Sequence, residues 1–183
     1  MTFRNPATGG YEGYDIDAVE KLAADMGVAV EWVATDWKTL VAGILADRND
    51  MTTSASLSLD RAKVAGFSAP YVTFATVPVA LSETAERRAG WDELDQKDVR
   101  IAVTLGTVFE QQARRFFEAA EIVTVEAPAR GFQEVLAGRA TATITSNVDA
   151  ATRTTTYSEL AVVSVDGPRS QRFPTYEAPP AGA

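Results

Sequence analysis

Two stretches of this chain repeat one plan, and that repeat limits the folds open to it. DWKTLVAGILADRNDMTTS (36–54) and GFQEVLAGRATATITS (131–146) each run from an aromatic-led amphipathic helix through a polar break into a short β-prone segment. Each ends in small hydroxyl residues. Helical period giving way to a short strand, twice over, favours a mainly parallel sheet with covering helices, an α/β class, built as two related halves. In such sheets ligands gather beyond the carboxyl ends of the strands. The two hydroxyl-rich ends therefore point at a common cleft.

The flanking sequence extends the plan. Residues 2–13 are rich in Asn, Pro and Gly and read as a loop or hairpin tip. Ile16, Val19, Leu22, Ala23 and Met26 lie at helical spacing, with Gly27 as the stop. VAVEWV (28–33) alternates as a strand does, and Asp36 is placed to cap the next helix. A further short strand is expected from Met51. VTFATVPVAL (72–81) is β-rich but carries Pro78, which suits an edge or crossing segment. Residues 82–100 turn polar, with Trp91 and Leu94 as anchors, and mark a passage between lobes. Beyond them strands are expected over 99–103, 122–125, 140–145 and 160–165. Helices are expected to open at Gly106-Thr107, Pro128 and Asn147. Trp32 and Trp37 are expected in the core.

Composition narrows the chemistry. The 183 residues hold no Cys and no His, which removes disulfides, thiolate nucleophiles, imidazole bases and the usual zinc ligands. No metal or cofactor is expected. A net charge of −8 opposes nucleic-acid binding, which needs clustered Lys and Arg. No apolar run approaches the roughly 20 residues of a membrane span. MTFRNPATGG lacks the apolar segment of a signal peptide, so the start reads as trimmed.

Within 51–71, MTTSASLSLDRAKVAGFSAPY, compact hydroxyls precede one arginine. Arg61 supplies a planar donor fork that fits a carboxylate at two points. Chemically the stretch reads as a floor for a small anionic or zwitterionic solute. A surface arginine after a turn is the plain alternative. Thr107 behind Gly106 serves equally as a helix cap. Tyr14 and Tyr11 are placed either to stack on a ligand or to cover a core edge.

GYDIDAVEKLAADMGVAVEWVATDWKTLVAGI, SLSLDRAKVAGFSAPY, RIAVTLGTVFEQ and GFQEVLAGRATATI, in that order, resemble the type 2 periplasmic solute-binding proteins, in the family-3 amino-acid branch of ABC transport. Cyclohexadienyl (prephenate or arogenate) dehydratases share the pattern, and NPATGGYEGYDID is similar to that subgroup. The resemblance implies two α/β lobes: 1–76 with 172–183, and 77–171, with crossing strands near 72–82 and 166–174. It implies a monomer outside the cytoplasmic membrane, in the periplasm or beyond, working with a permease. The first strand and the C-terminal helix of the family pattern are missing, so the chain reads as truncated at both ends.

Carried over by position, Arg61 grips the ligand carboxylate, and Ser54 and Ser56 contact its carboxylate and amino ends. Thr107 and Val108 meet the carboxylate with the backbone N–H groups of a helix start. Ser146 stands where amino-acid binders usually carry an aspartate for the ligand amine, and Asp149 is the substitute one turn on. If the chain is instead a dehydratase, Asp149, or else Glu110, must serve as the acid. A remnant that binds nothing, or a sensor lobe, is the third reading.

Overall fold

The computed structural model describes residues 2–5 and 7–165, and the chain divides into two compact units, Met1–Gly66 and Phe67–Ala183. The expected crossing segment near 166–174 and the return over 172–183 lie outside the described residues.

Unit 2 is a five-stranded α/β sheet. Its strands are β3 (Thr76–Leu81), β4 (Arg100–Thr104), β5 (Glu121–Val125), β6 (Ala142–Ser146) and β7 (Leu160–Val162). They lie in the order β5-β4-β6-β3-β7. β4 is parallel to both β5 and β6, whereas β3 is antiparallel to both β6 and β7. The sheet is thus mixed, against the mainly parallel arrangement expected, because the chain enters along β3 in the opposite sense to the strands that follow.

Two apolar layers cover this sheet. Ile101, Val103 and Ile144 on one face meet Trp91, Leu94 and Phe117. Ala102 and Val79 on the other face meet Phe132, Val135 and Leu160. Alternation along each strand puts successive side chains into opposite layers. The helices are α4 (Ser82–Arg87), α5 (Trp91–Leu94), α6 (Val108–Phe116), α7 (Gly131–Leu136) and α8 (Asn147–Thr156). The polar stretch 82–100, read from sequence as a passage between lobes, folds here as α4 and α5. Trp91 and Leu94 are the buried anchors expected.

Pro78 departs from expectation in an instructive way. It sits in β3, an inner strand, opposite Ile144 of β6. The Pro78 carbonyl accepts from Val163 N at 2.9 Å, one step beyond the last β3–β7 ladder pair at Val79 and Val162. A residue's N and O face the same neighbour in an antiparallel pair. The N–H that proline lacks would therefore have faced β7, and β7 ends there. The missing donor sits at the end of a ladder, where it costs least.

Unit 1 holds the hairpin β1 (Phe3–Arg4) and β2 (Tyr11–Glu12), then α1 (Tyr14–Met26), α2 (Leu40–Leu45) and α3 (Leu59–Ala62). Helix α1 stops at Gly27, whose φ of 69° is the left-handed cap that glycine supplies. The Asp36 carboxylate accepts from Lys38 N and Thr39 N, both at 2.9 Å, in the turn leading to α2. The strands expected over 28–33 and from Met51 do not form. A strand is completed by a neighbour's ladder, and among the described residues of unit 1 only β1 and β2 pair. Trp32 and Trp37 are half-buried. The Trp32 ring tilts against Tyr11, with centroids 6.3 Å apart, and neither tryptophan is a core residue.

Candidate functional site

In unit 1 the stretch 52–61 is a loop running into α3. Ser58 caps α3, its Oγ accepting from Arg61 N at 3.4 Å. This short helix turns Arg61 inward, and only 8% of the residue stays exposed. The guanidinium is anchored from one side: Arg61 Nη1 donates to the Ser56 carbonyl at 3.0 Å. That contact helps to orient a planar donor fork of the kind that suits two-point contact with a carboxylate.

Ser54 has φ 59°, left-handed backbone for a residue with a Cβ. Its hydroxyl donates to Asp15 Oδ2 in the first turn of α1. Tyr14, beside Asp15 in the chain, is exposed. The structure thus ties Ser54 to α1 and Ser56 to Arg61. Asp15 escaped the sequence reading because an acidic residue in a helix's first turn ordinarily just complements the helix dipole. Its burial is what distinguishes it.

In unit 2, β4 and β6 are parallel neighbours, so α6 and α8 start from the same end of the sheet. Thr107 caps α6: its Oγ1 accepts from Glu110 N at 3.3 Å and donates to the Thr104 carbonyl at 2.7 Å. The hydroxyl proton is therefore committed, and the Thr107 backbone N–H also donates to the Thr104 carbonyl, at 3.3 Å. Thr107 and Val108 are both buried. Glu110 completes the cap, with Oε2 accepting from Gly106 N at 2.7 Å and Oε1 from Arg114 Nε at 3.0 Å.

Ser146 caps α8, accepting from Asp149 N at 3.0 Å. Asp149 is heavily engaged. Its Oδ1 accepts from Arg153 Nη2 at 2.9 Å and Nε at 3.2 Å, and its Oδ2 from Thr145 Oγ1 at 3.0 Å. The Arg153 guanidinium in turn lies over the Phe132 ring, 4.6 Å from its centroid. Asn147 escaped the sequence reading too. Its side chain accepts from Ala75 N at 2.9 Å and its backbone N donates to the Ala75 carbonyl at 2.8 Å, tying α8 to the lead-in of β3.

Residues 1–160 match the family described as bacterial extracellular solute-binding proteins, family 3. The chain belongs to this family. Among its relatives, the cyclohexadienyl dehydratase of Pseudomonas aeruginosa is 30% identical over 161 residues, covering 87% of this chain and 60% of that protein. The L-cystine-binding protein TcyA of Bacillus subtilis is 25% identical over 139 residues, covering 76% and 50%. The family-3 chain thus spans between about half and three fifths of the length of these curated relatives.

Among solved structures, the ancestral amino acid-binding protein AncCDT-1, a precursor of cyclohexadienyl dehydratase, superposes with a TM-score of 0.83 at 33% identity. The match covers 90% of this chain and 72% of that one. A binding component of an ABC transporter from Wolinella succinogenes, complexed with lysine, gives a TM-score of 0.82 at 22% identity, covering 91% and 72%, and supports the fold alone. These neighbours fit the α/β fold class read from the sequence.

Proposed function

We propose that this chain is the ligand-capturing part of a substrate-binding component of an ABC transporter, taking a small carboxylate-bearing solute such as a polar amino acid or related organic acid. It acts outside the cytoplasmic membrane, in the periplasm or beyond, as a monomer that delivers its ligand to a permease. Capture is by closure of two lobes, an established kind of hinge motion. The observation that carries this reading is a buried arginine, Arg61, anchored on the Ser56 carbonyl in a chain of the family-3 solute-binding proteins.

In this reading Arg61 grips the carboxylate and Ser54 and Ser56 complete its polar floor. Thr107 and Val108 clamp it with the backbone N–H groups of α6, where the helix dipole favours an anion. Ser146 and Tyr14 line the remaining positions. The experiment is a thermal-shift screen of L-arginine, L-lysine, L-cystine, phenylpyruvate and succinate. A binder gains about 2.7 kcal/mol at a hundredfold excess over Kd. A flat response to all five overturns the reading.

The 30% identity to a cyclohexadienyl dehydratase favours a second reading, loss of water and carbon dioxide from prephenate or arogenate. That reaction needs a carboxylic acid aimed at the leaving hydroxyl. Asp149 is held by Arg153 and Thr145, and Glu110 by Gly106 and Arg114, so neither carboxylate is disposed to act as that acid. An absorbance assay for phenylpyruvate decides between the two, and robust turnover of prephenate displaces the binder.

A further inference from the structure

Gln112 lies in the second turn of α6, a helix of 9 residues, and only 7% of it is exposed. A glutamine amide carries two donors on its nitrogen and an acceptor oxygen, and burial leaves each in need of a partner. The oxygen has one, since Thr76 Oγ1 donates to Gln112 Oε1 at 3.1 Å. Nothing among the described residues accepts from Nε2.

The fold fixes where this amide lies. Side chains on a helix tilt toward its N-terminus and residues four apart share a face, so Gln112 reaches back over the turn that begins at Val108. Thr76 opens β3 opposite Ser146, the last residue of β6, from which α8 starts. Because β3 runs against β6, it begins at the end of the sheet from which α6 and α8 set out. The first N–H groups of a helix have no partner within it. Thr107 N donates to the Thr104 carbonyl and Glu110 N to Thr107 Oγ1, while those of Val108 and Phe109 have no partner among the described residues. The Glu110 carboxylate at this helix start is occupied by Gly106 N and Arg114 Nε.

Unsatisfied N–H donors gathered at a helix start suit an oxygen anion and offer nothing to an ammonium. We infer that Gln112 is a ligand contact: beside the N–H groups of Val108 and Phe109, its Nε2 donates to the ligand carboxylate. Thr76 holds the amide by its oxygen, so the nitrogen faces the ligand. This adds a side-chain donor to the α6 clamp of the proposed function and rests on that clamp. It also makes residue 112 a determinant of specificity, because a carboxylate there would repel the ligand that the amide holds.

The test uses the full chain, Gln112→Met and Gln112→Glu, with L-arginine and L-arginine methyl ester as probes. Both substitutions keep the reach of the side chain and remove its donors, and only the second adds a charge. Calorimetry is expected to show L-arginine bound at least about tenfold more weakly by Gln112→Met, and more weakly again by Gln112→Glu. The ester is expected to change by less than about threefold in Gln112→Met, its neutral carbonyl being the poorer acceptor. A merely structural role would weaken acid and ester alike and leave their ratio intact, which overturns the inference. A second arm needs no substitution: NMR follows the Gln112 side-chain amide protons of the unaltered chain during titration with L-arginine. They are expected to shift to saturation with the binding curve, and protons that stay put while L-arginine binds overturn the contact. If the unaltered chain binds neither probe, the clamp and the Gln112 contact fall together. If it binds L-arginine and the acid-to-ester ratio survives in both variants, the Gln112 contact alone falls.

Discussion

Unit 1 and unit 2 start from sequence of the same plan and end differently. In unit 2 every strand expected after residue 72 finds a neighbour, and Ile101, Val103 and Ile144 are sealed from solvent. In unit 1 the apolar residues of 28–33 have no ladder to join, and Leu22, Met26, Val28 and Leu45 stay exposed. The contrast teaches that alternation specifies which face of a strand is apolar, while a paired neighbour decides whether there is a strand. Stability should therefore be concentrated in unit 2.

That contrast is open to attack by substitution. Ile101→Ala, in the centre of the unit 2 sheet, is expected to cost about 2–5 kcal/mol in urea unfolding, through lost burial and the cavity left behind. Gly131→Ala is the next largest. An added Cβ would stand 2.1 Å from Thr143 Oγ1 and 3.0 Å from the Ala102 carbonyl. Overpacking of this kind costs about 1–3 kcal/mol, read as a lowered Tm. Leu22→Ala on the exposed face of α1 is expected to change stability by less than about 0.5 kcal/mol. A loss near that of Ile101→Ala would mean that unit 1 has a core of comparable weight.

The smallest effect expected is at the end of α7. Arg139 Nε and Nη2 donate to the Glu134 carboxylate at 2.6 and 2.7 Å. That side-chain hydrogen bond holds the Glu134 carboxyl below its ordinary value. A folded-state value below the unfolded one stabilises the fold above the ordinary glutamate range, and the contribution is lost as pH falls through the lowered value. An NMR titration of Glu134 should show its midpoint displaced to acid in the native chain and restored in Arg139→Gln.

The sequence was most legible where local chemistry and pairing agree. Gly27, Gly138 and the hydroxyl caps Thr107 and Ser146 ended or opened helices as their types dictate. Pro78 misled because its constraint is one missing donor, and an inner strand absorbs that where the adjoining ladder ends. Asp149 and Glu110 looked like available carboxylates because the arginines one turn on, Arg153 and Arg114, lie at ordinary helix-pair spacing. The burial of Asp15 was invisible because its partner Ser54 is far off in sequence. Spacing carries no record of such a contact.

The central claim is that the ligand is held by its carboxylate on Arg61. Arg61→Ala is expected to abolish binding with the fold intact, but chemistry on the ligand tests the claim without disturbing a buried side chain. Calorimetric titration with L-arginine and with L-arginine methyl ester removes the charge from the ligand alone. Two charge-assisted hydrogen bonds lost together predict that the ester binds at least about a hundredfold more weakly. Equal affinities for the acid and the ester would contradict the account.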